Sequence, residues 1–197
     1  LAGTASIDVG GALVDGRWYV PADGAPVRPG ARASVDIVIR HLLAGHRFPG
    51  GVLDIQDTWI EVELADATGT RIAASGLRHA TDPRDTEAHV LRTLVVDAHG
   101  EVLEHHELPA FRTPITTATL APREARAIRY EFDVPQDVRL PLTITARLRH
   151  RSRTLAMQAE ACRAAKTPDG QAFIRGAVGA RYVHLDPCRP QPVTLIA

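Results

Sequence analysis

Apolar and polar residues alternate along four long stretches of the chain. Val35, Ile37 and Ile39 alternate with Ser34, Asp36 and Arg40, and Ile60, Val62 and Leu64 with Trp59, Glu61 and Glu63. Further on, Ile128, Tyr130, Phe132 and Val134 alternate with Arg129, Glu131 and Asp133, up to Pro135. Leu142, Ile144, Ala146 and Leu148 alternate with Thr143, Thr145, Arg147 and Arg149. Successive strand side chains point to opposite faces, so each stretch predicts a strand with one buried and one wet face. On that reading Glu61 and Glu63 share a solvated face. Shorter strands are predicted at residues 12–14 and 18–20, around the turn Asp15-Gly16. Two D-A-x-G turns, 66–69 and 97–100, predict hairpins that return through residues 71–75 and 101–105.

The remaining segments read differently. Residues 1–11 predict an irregular arm, and 21–30 (PADGAPVRPG) a proline- and glycine-rich connector. Residues 77–89 read as a polar loop and 107–119, with two prolines, as an extended crossover. From 155 to 165 the sequence becomes LAMQAEACRAA, made of good helix formers without glycine or proline, and predicts the chain's one helix. The proline-rich tail ends in a predicted edge strand at 193–196. About eight short strands without βαβ alternation predict an all-β fold: an antiparallel, immunoglobulin-like β-sandwich with one short helix near the C-terminus. A barrel is the alternative. The sandwich spans 12–155, with the helix and tail, 156–197, packed on it.

A chain of 197 residues is enough for one substantial core. Lys+Arg and Asp+Glu number 23 each, so no net charge points to nucleic acid or an anionic membrane. Lys166 is the only lysine, and such an arginine bias fits a GC-rich genome better than a binding surface. No apolar run is long enough for a membrane span. The first residues show neither the basic start nor the apolar stretch of a secretory leader, so a leader has been removed or the chain is part of something longer. Cys162 and Cys188 either bridge or remain as two buried thiols. A bridge would close a loop worth about 3 kcal/mol, and the apolar-poor segment between them favours it.

Between the first two long strands lies Gly45-His46-Arg47-Phe48-Pro49-Gly50-Gly51, followed by Asp54, Asp57 and Trp59. The glycines and proline mark a shaped loop. The run RHLLAGHRFPGGVLDIQDTWIEV, with the D-A-T-G turn and the A-S-G at 74–76, resembles a haem-free domain that follows the haem-binding part of many bacterial multihaem c-type cytochromes. That pattern is a strand, G-H-x-F-P-[TG]-G, an acidic residue and W-[IL]-E before a D-x-x-G hairpin. Ala88-His89, Leu120-Ala121-Pro122 and A-R-L-R-H-R at 146–151 extend the resemblance over residues 12–155. No CxxCH is present, so the chain carries no covalently attached c-type haem. The resemblance implies a non-enzymatic accessory module outside the cytoplasm, periplasmic or extracellular, that docks against or shields haems of another segment or chain. Its partners would be a multihaem cytochrome, or copies of itself in an oligomer or filament. An extracytoplasmic metal-binding or adhesion-like interaction domain is the other reading.

The haem- or partner-facing candidates are His41, His46, Arg47, Phe48, Asp54, Asp57 and Trp59. His46 reads either as a ligand to a metal or a partner's haem iron, or as a histidine that locks its loop. With Asp54 and Asp57 it forms a candidate metal set, although two carboxylates alone fall short of a Ca²⁺ site and are better read as caps on loop amides. His105 and His106 are expected to point to opposite faces and into solvent. The other histidines, among them His184, are scattered singly. Ser6, Ser34, Ser75 and Ser152 lie in no nucleophile context, and HExxH, phosphate-loop and dinucleotide patterns are absent, so no catalytic residue is expected.

Overall fold

The computed structural model describes residues 3–20, 23–82, 85–178 and 186–197. Eleven strands occur among them: β1 (Ala5–Val14), β2 (Arg17–Tyr19), β3 (Arg32–His41), β4 (Asp57–Ala65), β5 (Arg71–Ser75), β6 (His89–Val90), β7 (Thr93–Val96), β8 (Thr113–Thr117), β9 (Ala125–Asp133), β10 (Thr143–Arg151) and β11 (Thr194–Leu195). One sheet has the order β2-β1-β3-β9. The other has the order β11-β10-β4-β5, with β6 also paired to β4. All pairings are antiparallel, and neither sheet closes on itself. A separate two-stranded ribbon, β7-β8, lies beside them.

The predicted alternation builds the core. Val35, Ile37 and Ile39 of β3 pack in one cluster with Ile60 and Val62 of β4 and Leu148 of β10. Ile128, Tyr130 and Phe132 of β9 pack against it. Burying a side chain of this size stabilises by about 1.5–3 kcal/mol, so six such positions hold the two sheets together. Phe48, Leu91 and Leu120 join the cluster. Toward the other end an apolar gap of about 760 Å³ is lined by residues of both sheets, among them Val9, Val35, Phe132, Leu64 and Ile144.

Three elements differ from the sequence expectation. Residues 5–11 are not an irregular arm but the first part of β1, paired with β3 from Ala5↔His41 to Val14↔Ala33. A register shift between Val9 and Gly11 interrupts the alternation there, which hides the strand in the sequence. Residues 113–117 are not a crossover but β8. Pro114 is accommodated at the register irregularity opposite Leu94 and Val95, where a missing donor is tolerated. The second D-A-x-G turn forms, with Asp97 accepting from the amides of His99 at 2.8 Å and Glu101 at 3.0 Å. Its return leg, however, is only the single bridge Val96↔Val102.

The helix α1 (Leu155–Ala165) is where it was predicted, capped by Thr154, whose side chain accepts from the Met157 amide. A second short helix, α2 (Pro168–Phe173), follows it near the C-terminus. Thr167 caps α2 and Pro168 takes its first turn, where a missing N–H costs nothing. Cys162 and Cys188 form a disulfide. It ties the tail to α1, and Gln158 reinforces the strap by donating to the Arg189 carbonyl and accepting from the Gln191 amide. The predicted edge strand is present as β11, against β10.

Candidate functional site

The segment 42–56 crosses one end of the sandwich, from the last residue of β3 to the first of β4. Phe48 exchanges two backbone hydrogen bonds with Leu120, each 2.8 Å, and its ring is buried in the core cluster. His41 is buried beneath the loop; its Nδ1 lies 2.9 Å from the Ala121 carbonyl and its ring tilts against Phe48. Gln56 donates to the Gly50 carbonyl. The Leu42 amide bonds to Thr4, Thr93 to Leu53, and Thr154 to Ile55. A loop tied at this many points is a fixed surface.

His46 lies on its outer side, exposed. Its Nδ1 is 2.7 Å from the Arg47 carbonyl. A carbonyl only accepts, so Nδ1 carries the proton and Nε2 presents a lone pair outward. A Cβ at Gly50 would run into the ring of His46, so only glycine leaves it room to lie flat. Around it Leu42, Leu43 and Val52 are exposed, Leu43 at 79%. Arg47 adds an exposed guanidinium whose nearest partner is the Thr119 hydroxyl at 3.4 Å.

The other candidates face inward. Asp57 is buried, and Arg151 donates to its Oδ2 from Nε at 3.0 Å and Nη2 at 2.7 Å. The same guanidinium reaches the carbonyls of His79 at 3.0 Å and Ala80 at 2.9 Å. Arg92 stands 3.5 Å from Asp57 Oδ1, and the buried His79 has its Nε2 3.5 Å from Oδ2. Burial works to raise the Asp57 pKa, but the contacts from His79 and Arg151 outweigh it and hold the carboxyl below its ordinary range. Trp59 is fully buried: its indole donates to the Gly76 carbonyl at 3.1 Å, and its ring packs against His79 and beneath Arg151. The expectation that His41, Phe48, Asp57 and Trp59 face a partner is therefore corrected. The face of β4 that was to be wet is instead covered, and Glu61 is buried between Arg147 at 3.1 Å and Arg149 at 3.0 Å.

The proposed metal set is not assembled. His46 binds its neighbour's carbonyl, Asp57 the core arginine, and Asp54 a histidine far away in sequence. Among the described residues no group of three or more His, Cys, Asp or Glu is placed to hold a metal ion. Asp54 Oδ2 accepts from His106 Nδ1 at 2.7 Å, and the His106 ring stands edge-on to Phe111. His106 is thus an oriented, half-buried group rather than a solvated one, and its backbone takes φ 60°. His105 pairs with Glu107 at 3.3 Å. His184 lies outside the described residues. A shallow groove of about 340 Å³ beside Asp54 is lined by Val52, Val95, Phe111, Arg112 and Pro114.

Sequence reasoning missed Arg151, His79 and Arg92 around Asp57, and His106 beside Asp54. The arginines at 147, 149 and 151 were legible as a period-two row that a neighbouring strand with Asp57, Glu61 and Glu63 would neutralise. Nothing local marked His106.

The fold is similar to that of a known protein. A penta-heme cytochrome c552 from Thermochromatium tepidum superposes with a TM-score of 0.58 at 16% identity, over 99% of this chain and 38% of that one. The chain thus spans well under half of that cytochrome's length. At this identity the likeness is one of fold. No protein-family model and no curated protein sequence matches the chain.

Proposed function

We propose that this chain is a non-catalytic β-sandwich module of a multihaem c-type cytochrome assembly, docking through its 42–56 end onto a haem-bearing segment or chain. The observation that carries the reading is the fixed, exposed apolar tip of Leu42, Leu43 and Val52, flanked by His46 and Arg47, on a fold shared with part of a penta-heme cytochrome. Apolar side chains held rigidly in water are stabilised by covering them, and rigidity keeps the ordering cost of docking low. The module's own haem chemistry is limited by its residues: both cysteines are consumed in the disulfide, leaving no thiol for a thioether bond to haem. The disulfide fits an oxidising, extracytoplasmic compartment. No helix among the described residues is long and apolar enough to cross a membrane.

The test is co-sedimentation of the purified chain with the haem-bearing segment or chain expressed alongside it, followed at the Soret band. The wild-type chain is expected to move with the haem. Leu43→Glu, at a residue that is 79% exposed and so neutral to folding, is expected to weaken the complex at least about tenfold. Full retention of binding by Leu43→Glu combined with Val52→Glu would refute docking through this end.

A further inference from the structure

We propose that His106, held by Asp54, is an axial ligand for a ferric or ferrous haem iron of the docked partner; this rests on the docking reading above and names the atom that would complete the contact. The imidazole has the features a ligand needs. Its Nδ1 is fixed by the Asp54 carboxylate at 2.7 Å, which sets ring orientation and tautomer and increases the basicity of the other nitrogen. Asp54 itself is committed, with its side chain only 8% exposed. Phe111 stands edge-on with ring centroids 5.5 Å apart, so the ring is held from two sides. Nε2 has no hydrogen-bond partner among the described residues and is not buried, since the His106 side chain keeps 28% exposure.

Haem iron is the metal that fits one such imidazole. A free transition ion requires three or four protein donors, and no group of three exists among the described residues. A haem iron already holds four porphyrin nitrogens and one ligand of its own, and needs a single further donor. Asp54 and Phe111, the two residues that hold His106, also line a shallow groove with Val52, Val95 and Pro114. Arg112, in the same groove, is exposed and has no carboxylate within ion-pair distance among the described residues, so it is free to meet a propionate. His46 presents a bare Nε2 as well, but its ring is oriented only by a neighbouring carbonyl on the exposed outer side of the loop. In coordination Nε2 donates its lone pair to the iron in place of water, releasing to solvent any proton it carries, while Nδ1–H stays on Asp54.

The probe is a ferric haem-c peptide that carries one axial histidine and leaves its sixth position to water. Titration with the chain is expected to convert it from high to low spin, read from the Soret band and electron paramagnetic resonance. His106→Gln is expected to weaken this conversion at least about tenfold, and Asp54→Asn by about 10–100-fold through loss of orientation. His99→Gln is expected to leave it unchanged. NMR of the histidine-labelled wild-type chain identifies the shifted ring without any variant, which covers the case in which His106→Gln misfolds. A shifted ring other than His106, or conversion insensitive to His106→Gln, overturns the assignment. Co-sedimentation with the haem-bearing partner that persists without a spin change overturns ligation and leaves docking standing, whereas loss of co-sedimentation removes both.

Discussion

Arg151→Met tests whether the buried ion pair behind Trp59 holds the second sheet together. The guanidinium makes two bonds to Asp57 Oδ2 and one each to the carbonyls of His79 and Ala80, and it lies over the Trp59 ring at 5.1 Å. Arg151 and Asp57 side chains are 1% and 2% exposed, so solvent cannot replace what the substitution removes. Breaking a buried pair by deleting one partner costs about 3–5 kcal/mol, because the other charge is left in a poor medium. Arg92, 3.5 Å from Asp57 Oδ1 and partly exposed, softens the loss, which sets the expectation near about 3 kcal/mol at neutral pH. With a urea m-value of about 2 kcal/mol/M the unfolding midpoint should fall by about 1.5 M. The pH dependence gives a second arm. In the wild-type protein the Asp57 pKa is depressed, so its contribution is present above the unfolded value of 3.8 and is lost as pH falls through the folded pKa. Without Arg151, burial is opposed only by His79 and Arg92, the folded pKa moves upward, and the gap between variant and wild type should narrow on acidification. The double variant Asp57→Asn/Arg151→Met should recover part of the loss, since it leaves no charge stranded. A loss below about 1 kcal/mol, or a gap independent of pH, would show that the pair is not what holds this face.

Other outcomes follow from the same structure. Burial lowers the pKa of His89 and His150 below the ordinary 6.5, so the unfolded chain takes up protons at a higher pH than the fold does, and urea stability should decline as pH falls below 6.5. His89→Gln with His150→Gln should flatten that slope, and an unchanged slope would assign it elsewhere. Thiol labelling in denaturant without reductant should find no free cysteine, and Cys162→Ser with Cys188→Ser should cost about 2–4 kcal/mol in thermal or urea unfolding. Gly76→Ala should destabilise by about 1–3 kcal/mol, because φ there is +73° and the added Cβ would meet the Ile60 carbonyl; wild-type stability would refute the close approach.

What could be read in the sequence was whatever repeats over a few residues. The alternation of β3, β4, β9 and β10, the 66–69 turn, the helix at Leu155–Ala165 and the edge strand near residue 194 depend on neighbours in the chain, and all are present. β1 was hidden because Gly10 and Gly11 interrupt its period at a register shift. The outer face of β4 was misread because alternation reports polarity and not exposure. Trp59, Glu61 and Asp57 are polar or amphipathic in sequence, but β10 sets Arg149, Arg147 and Arg151 directly opposite them, and Gly76, His79 and Arg92 close over Trp59 and Asp57. The site candidates divide on the same line. His46 and Arg47 were found on the surface because their loop is shaped locally. The partner of Asp54 is 52 residues away, and only the folded chain identifies it.

The distribution of charge supports the proposal that docking uses one end of the sandwich. On the β3 sheet, Arg32 pairs with Glu131, Arg40 with Asp8, and Arg129 with Asp36 while lying over Trp18. On the β4 sheet, Arg147 and Arg149 pair with Glu61, and Arg71 approaches Glu63. Most of these pairs are exposed enough to contribute little to stability. Their effect is on association: a row of mutually satisfied charges offers an incoming surface nothing to gain and costs desolvation to cover. Exposed apolar side chains occur at several places, among them Trp18, Leu108 and Phe173, and also at the 42–56 end. Leu42, Leu43 and Val52 gain by being covered, while His46 and Arg112 have donor or charge capacity that no described side chain uses. A flat contact across either sheet would have to dismantle the ladders first. A contact across the loop end would dismantle nothing, which is the energetic reason for assigning docking there.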